Sequence, residues 1–264
     1  TCALPICEYE LPNRIIYRGQ PNAKYSLQTT LERYSKKKWN VKSYLRVAHR
    51  CLPQVESFTE RKWHLPSFYE LEKQFNDCYD EFFFKFPSPE CYNYWIYLRH
   101  HGFPSPLLDW TLSPYIAAFF ALEQQNNASE AAVFVYIETP RGVKTGWGKS
   151  PKITLLGQYV ATHRRHFLQK SYYTVATKEV EDQHEFVCHE DIFKQSSKRQ
   201  DILIKIILPR DQRIEILSEL SDYNINRFAL FNSEEALVRS LAFQEIEAKP
   251  GLKKIESEDN GKKE

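Results

Sequence analysis

His100-His101-Gly102-Phe103-Pro104-Ser105-Pro106-Leu107-Leu108-Asp109-Trp110-Thr111-Leu112-Ser113-Pro114 is the stretch on which the reading of the fold turns. Gly102 stops the helix that precedes it, Tyr92 to His101, whose Tyr94, Trp95 and Leu98 share one face. At the other end Ser113 and Pro114 form an N-cap and N1 pair. The helix they open, Tyr115 to Gln124, is rich in Ala and Phe and is expected to be buried. Beyond it, Ala131 to Ile137 is apolar without alternation, the pattern of a central strand.

Upstream, a β-type run from Arg14 to Tyr17 passes into Arg18-Gly19-Gln20-Pro21, a strand end from which polar side chains project into a cleft. Tyr25 to Leu31 is expected to continue that sheet. Helical spacing predicts helices from Trp39 to His49 and from Phe68 to Phe84, with a loop from Leu52 to Pro66 between them. Downstream, a glycine-bearing loop covers Gly142 to Gly148. Strands are expected at Ser171 to Ala176 and Ile202 to Leu208, then a helix from Arg210 to Leu220. Asn232-Ser233 caps a last helix, Glu234 to Phe243. With no repeat and no linker inside 1–245, this is one α+β domain, a mixed and mainly antiparallel split sheet surrounded by helices. Residues 246–264 read as a charged, disordered tail.

Composition narrows the function classes. The 264 residues are 42% hydrophobic and 14% aromatic, enough for a ring-rich core. Lys and Arg number 36 against 34 Asp and Glu, a net +2 that draws neither nucleic acid nor an anionic membrane. Lys36-Lys37-Lys38 and Lys198-Arg199 read as solvated faces. The six cysteines show no CxxC pair and no metal-ligand spacing, so no metal is expected. No apolar run reaches the roughly 18–20 residues that span a bilayer. The first residues are too short and interrupted for a signal peptide, so reduced thiols in a cytoplasmic protein are expected.

Two islands resemble the FRG domain family. One is Tyr17-Arg18-Gly19-Gln20, followed by Leu27-Gln28-Thr29-Thr30-Leu31-Glu32-Arg33. The other runs from His100-His101-Gly102-Phe103-Pro104 through Leu107-Leu108-Asp109-Trp110-Thr111 to Ala121. A weaker island is Arg165 to Gln169, ahead of Tyr173-Thr174, so the resemblance spans nearly the whole folded chain. Pro104-Ser105-Pro106 stands where the family has Pro-Thr-Arg, which removes a cation able to pair Asp109 or an anionic ligand.

The order of these polar groups is similar to that of the ADP-ribosyltransferase superfamily, which holds NAD between two sheets. That resemblance implies Arg18 as the cation, Thr111 and Ser113 as ribose-facing hydroxyls, and Gln169 in the Glu position, with Glu185 as fallback. Tyr17, Gly19, Gln20, His101 and Asp109 would line the NAD site, Asp109 orienting Arg18 through a charge-assisted pair. It also implies an NAD-using transferase or hydrolase, a prokaryotic effector of the toxin or phage-conflict kind. NAD is then the substrate and a macromolecule the acceptor.

Each residue also has a structural reading. Arg18 and Asp109 can be an ion pair tying two loops, Ser113 a plain helix cap, Gln169 a surface side chain, and His100 and His101 cations at a helix C-terminus. The competing function is a non-catalytic module, in which the Arg18–Asp109 cleft recognises a nucleotide or a peptide carboxylate and the protein regulates a partner. A metal-dependent nuclease is disfavoured, because no HxxE or DxD cluster accompanies the His pair.

Overall fold

In the computed structural model one antiparallel sheet carries helices on both faces. The structure describes residues 15–67, 69–70, 89–138, 151–157, 163–181, 183–195 and 201–249. The strands are β1 (Ile15–Gln20), β2 (Leu108–Thr111), β3 (Glu130–Glu138), β4 (Lys152–Leu156), β5 (Ser171–Val180), β6 (Gln183–Phe186) and β7 (Asp201–Pro209). Their order is β4-β5-β2-β1-β3-β7, and β6 extends β5. All of these pairings are antiparallel. The apolar run expected in the centre is β3, paired along its whole length to β7 and over residues 132–137 to β1.

The helices are α1 (Thr30–Tyr34), α2 (Val41–Thr59), α3 (Pro89–His100), α4 (Pro114–Leu122), α5 (Arg164–Leu168), α6 (His189–Gln195), α7 (Arg213–Asp222), α8 (Arg227–Phe231) and α9 (Glu234–Ala242). Strand side chains alternate between faces, and the register assigns them. Tyr17 lies opposite Thr111, and Asp109 opposite Tyr173, so all four share one face. On that face α2 and α3 pack over the Tyr173–Val175 part of β5, with Tyr44, Trp95 and Leu98 in the core. Over β1 and β3 the same face is covered by α4, α7 and α8 through Ile116, Phe119, Leu217 and Leu230. The opposite face buries Ile16, Trp110, Phe134, Tyr136 and Tyr172 beneath Ile192 of α6. Between the two helix groups the strands β1, β2 and β5 are left open above Tyr17, Asp109 and Thr111, and that gap becomes the cleft.

Several local expectations change. Tyr25 to Leu31 is not sheet. Its end is α1, opened by a capping box in which Thr29 Oγ1 accepts from Glu32 N and Glu32 Oε2 accepts from Thr29 N. The region from Leu52 to Pro66 is not all loop, because α2 runs on to Thr59 with Pro53 inside it. Leu52 and Val55 pack on the core there, so burial outweighs the proline. The last helix continues as a π-helical turn, Phe243–Ala248, across the expected boundary at 245. Phe68 to Phe84 and Gly142 to Gly148 lie largely or wholly outside the described residues. So does the tail from 250 onward.

Candidate functional site

The β1–β2 ladder registers only at Tyr17 opposite Thr111. One residue further along β1, Arg18 begins on the other face, and its guanidinium fills the seam that the ladder leaves. Its Nη1 donates to the Asp109 carbonyl oxygen at 2.7 Å and lies 3.9 Å from the Asp109 carboxylate. The expected split of the sheet is therefore a narrow join with a cation set in it.

Asp109 is held by a second arginine that the sequence reading did not select. Arg99, in the last turn of α3, meets both carboxylate oxygens through Nε and Nη2, the fork geometry suited to a carboxylate. Its Nη1 donates to Thr30 Oγ1 at 2.8 Å. Arg99 thus brings to Asp109 a cation in a chain that has Pro106 at the family's arginine position. The available signal was Arg99 itself, a lone cation between Leu98 and the two histidines.

Charge states follow from burial and these pairs. Burial lowers Arg18 to about 10, although Asp109 opposes the fall. Burial pushes the Asp109 carboxyl up, but Arg99 and then Arg18 outweigh it and hold it below its ordinary value. For Arg99 burial pulls down, and Asp109 more than restores it. The Asp109 side chain remains 44% exposed, whereas Arg18 and Arg99 are at 15% and 11%. The carboxylate is the most water-accessible part of the cluster.

Around the cluster lies a cleft of about 440 Å³, lined among others by Tyr17, Arg18, Gly19, Thr111 and Gln169. Arg99, His100, Arg165, Tyr173 and Phe231 complete it. Arg18, Thr111 and Gln169, assigned from distant stretches of chain, therefore meet in one hollow, with Asp109, Tyr17 and Gly19 beside them. Three other assigned residues act elsewhere. Ser113 is the cap of α4, its Oγ accepting from Ile116 N at 3.3 Å. Gln20 is buried and its Nε2 donates to Ser26 O at 3.0 Å. His101 faces a separate groove behind α3, and His100 takes the place in the cleft, its Nε2 sharing a 3.1 Å hydrogen bond with the Tyr173 hydroxyl. The fallback Glu185 lies on β6, paired with Lys178 of β5, away from the hollow.

Two of the cleft residues are already engaged by the backbone. Thr111 Oγ1 donates to Gln169 O at 2.7 Å and accepts from Ser113 N at 3.2 Å. Gln169 Nε2 donates to Leu230 O at 3.2 Å, so α8 fixes its amide. Arg165 lies 5.2 Å from the Phe231 ring and Arg227 pairs with Glu123. Counting Arg18, Arg99 and Arg165 against Asp109, with Glu123 matched by Arg227, the hollow has an excess of positive charge. Among the described residues no group of three or more His, Cys, Asp or Glu could hold a metal ion.

The importance of Asp109 is measurable. Asp109→Ala leaves two guanidiniums facing each other, and it is expected to cost about 2 kcal/mol, less than a fully buried pair because Asp109 reaches water. Since its folded pKa is depressed, this contribution is present above the unfolded value near 4 and lost as pH falls through the folded one. Urea denaturation of both proteins at pH 7, where the chain is folded and this contribution is complete, should show the gap.

Fold and cleft together define an α+β domain whose open sheet carries an arginine-lined hollow at a seam between two strands. The FRG domain family model matches residues 13–130, a little under half of the chain. No curated protein and no solved structure matches the chain. The match ends where β3 begins. Arg165, Gln169, Tyr173 and Phe231, which close the cleft, come from the remainder. Among the described residues no helix is long and apolar enough to cross a membrane.

Proposed function

We propose that the cleft takes NAD as a substrate, and that the protein is an NAD-cleaving, ADP-ribosyltransferase-like effector of the toxin or phage-conflict kind. The observation that carries this reading is the excess of arginine over carboxylate in one hollow that also presents a half-exposed aspartate. The volume of about 440 Å³ suits a cofactor-sized molecule. Arg18 and Arg165 face the pyrophosphate, where planar guanidinium forks bind phosphate oxygens well. Asp109 keeps lone pairs beyond those given to Arg99; they accept ribose hydroxyls and stabilise the positive charge that grows on the ribose as nicotinamide leaves. Thr111 and Gln169 act as a frame, the first fixing the position of the second.

That same frame favours a second reading, a nucleotide-binding regulatory module. Thr111 Oγ1 and the Gln169 amide are taken up by protein partners, which leaves binding groups in place and fewer groups for chemistry. Incubation with NAD separates the two. Nicotinamide appearing in the wild-type reaction, and falling at least tenfold in Asp109→Asn, supports cleavage. Saturable ADP-ribose binding without nicotinamide leaves the module. Neither binding nor release overturns both.

A further inference from the structure

Back to back with the cleft, across the last turn of α3, lies a second concavity of about 870 Å³. Arg99 and His100 of that turn line the cleft, while Tyr97, Leu98 and His101 line the groove. The same division runs through α1, where Thr30 binds Arg99 and Leu31 faces the groove. The remaining walls are apolar, with Tyr34, Trp39, Val55, Phe58 and Phe103 prominent. Two of these rings are left in water, Phe58 at 90% and Tyr34 at 81% exposure. Exposed rings beside a concave apolar lining mark a docking surface.

The charge around the groove selects the partner. Nine of the chain's 36 Lys and Arg fall within residues 33–64, against two of its 34 acidic residues, Glu56 and Glu60. This is an excess of seven positive charges in a chain whose net charge is +2. Lys37 lies 5.0 Å from the Trp39 ring and Arg61 5.8 Å from the Tyr97 ring, both rings of groove-lining residues, and Arg33, Lys36, Lys38 and Arg50 of the neighbouring chain are exposed. An apolar groove with a cationic rim complements an amphipathic helix whose polar face is acidic.

We propose that the groove between α1, α2 and α3 docks an acidic amphipathic helical segment of a partner protein. Its apolar residues enter between Trp39, Val55 and Phe103, and Tyr34 and Phe58 close over them. Its carboxylates meet the lysines and arginines of the rim. Single-stranded nucleic acid is the less suitable occupant: bases could stack on Tyr34 and Phe58 but would leave the apolar floor of the groove unfilled. Here Tyr44 is buried at the groove floor, edge-on to Trp95 at 5.0 Å and to Phe186 at 5.9 Å. Leu31, Val47 and Leu98 fill the rest with aliphatic carbon. An occupant would bear on the turn that carries Arg99 and His100 into the cleft.

The test uses the full chain and a fluorescein-labelled 21-residue peptide built from three repeats of Glu-Leu-Leu-Glu-Glu-Phe-Glu, whose seven-residue period keeps Leu and Phe on one helix face, read by fluorescence polarisation. A scrambled peptide of equal composition and an oligo(dT) of 20 nucleotides are the comparisons. Expected is saturable binding of the amphipathic peptide in the micromolar range, at least tenfold tighter than the scramble and weakening as salt rises. Phe58→Asp, a change at a side chain in water, should weaken it at least tenfold with the melting temperature unchanged. Lys36→Glu combined with Lys38→Glu should weaken it at low salt more than at high salt. Equal affinity for both peptides, no loss in Phe58→Asp, or preference for oligo(dT) overturns the proposal. The readout does not involve NAD, so it stands or falls apart from the cleft.

Discussion

Gly19→Ala is expected to destabilise the protein by about 3 kcal/mol or more, the upper range for overpacking, and to lower its melting temperature by roughly 6–12 °C. The reason is space. A Cβ at Gly19 would sit 2.0 Å from Ala117 O and 2.5 Å from Ala121 N, both backbone atoms of α4. Backbone cannot rotate aside as a side-chain tip does, so helix and strand must separate. That motion would pull α4 off β1 and disturb Tyr17 and Arg18, the floor and the cation of the cleft. Gly102→Ala is the control: its φ of +86° demands left-handed backbone but nothing lies within 4 Å, so strain of about 1 kcal/mol is expected. Thermal melts of the two variants measure the difference. Equal, small losses would mean that α4 does not seat on Gly19.

The contact also gives physical content to the two sequence islands. Gly19 belongs to the first and Ala117 and Ala121 to the second, small residues one helical turn apart. They let the helix lie directly on the strand. Family spelling here records a close approach of backbones.

Acid unfolding with a midpoint between about pH 4 and 5.5 is the second large effect expected. Burial lowers His166, His184 and His100 to about 4 and His189 to about 3. His166 is buried against the Tyr173 ring, stacked at 5.8 Å, and neither ring nitrogen has a hydrogen-bond partner. His189 is buried below the sheet, its Nε2 bonded to Thr174 at 2.9 Å. The unfolded chain binds a proton at each imidazole near pH 6.5, whereas the folded chain resists until about 4, so stability rises with pH across that interval and is lost as pH falls through it. Each tenfold difference in proton affinity is worth about 1.4 kcal/mol, and several such groups approach the whole stability of a domain, about 5–15 kcal/mol. Circular dichroism from pH 7 to pH 3 should show cooperative loss with a midpoint between about 4 and 5.5. His166→Phe, which keeps the stack on Tyr173, should move that midpoint to lower pH. A midpoint below pH 3.5, unmoved by His166→Phe, would assign acid unfolding to carboxylates such as Asp109 instead.

What the sequence determined by itself is what a few neighbouring residues decide. Ser113 and Pro114 open α4 because a hydroxyl and a ring meet the needs of a helix start. Ala131 to Ile137 is central because only a strand covered on both faces tolerates such a run. Arg18 ends a strand because Gly19, Gln20 and Pro21 follow it. The missed capping box at Thr29 and Glu32 was equally local and was legible. Only the tertiary structure decided which distant groups meet. Arg18 and Asp109 are 91 residues apart, and Gln169 and Leu230 are 61 apart. Such pairs are chosen by sheet order and by which helices cover the strands, and no spacing along the chain encodes them. That is why Arg99, lying in an aromatic helix, was missed as the partner of Asp109. The same cause left Ser113 outside the hollow and turned His101 to the groove while its neighbour His100 lines the cleft.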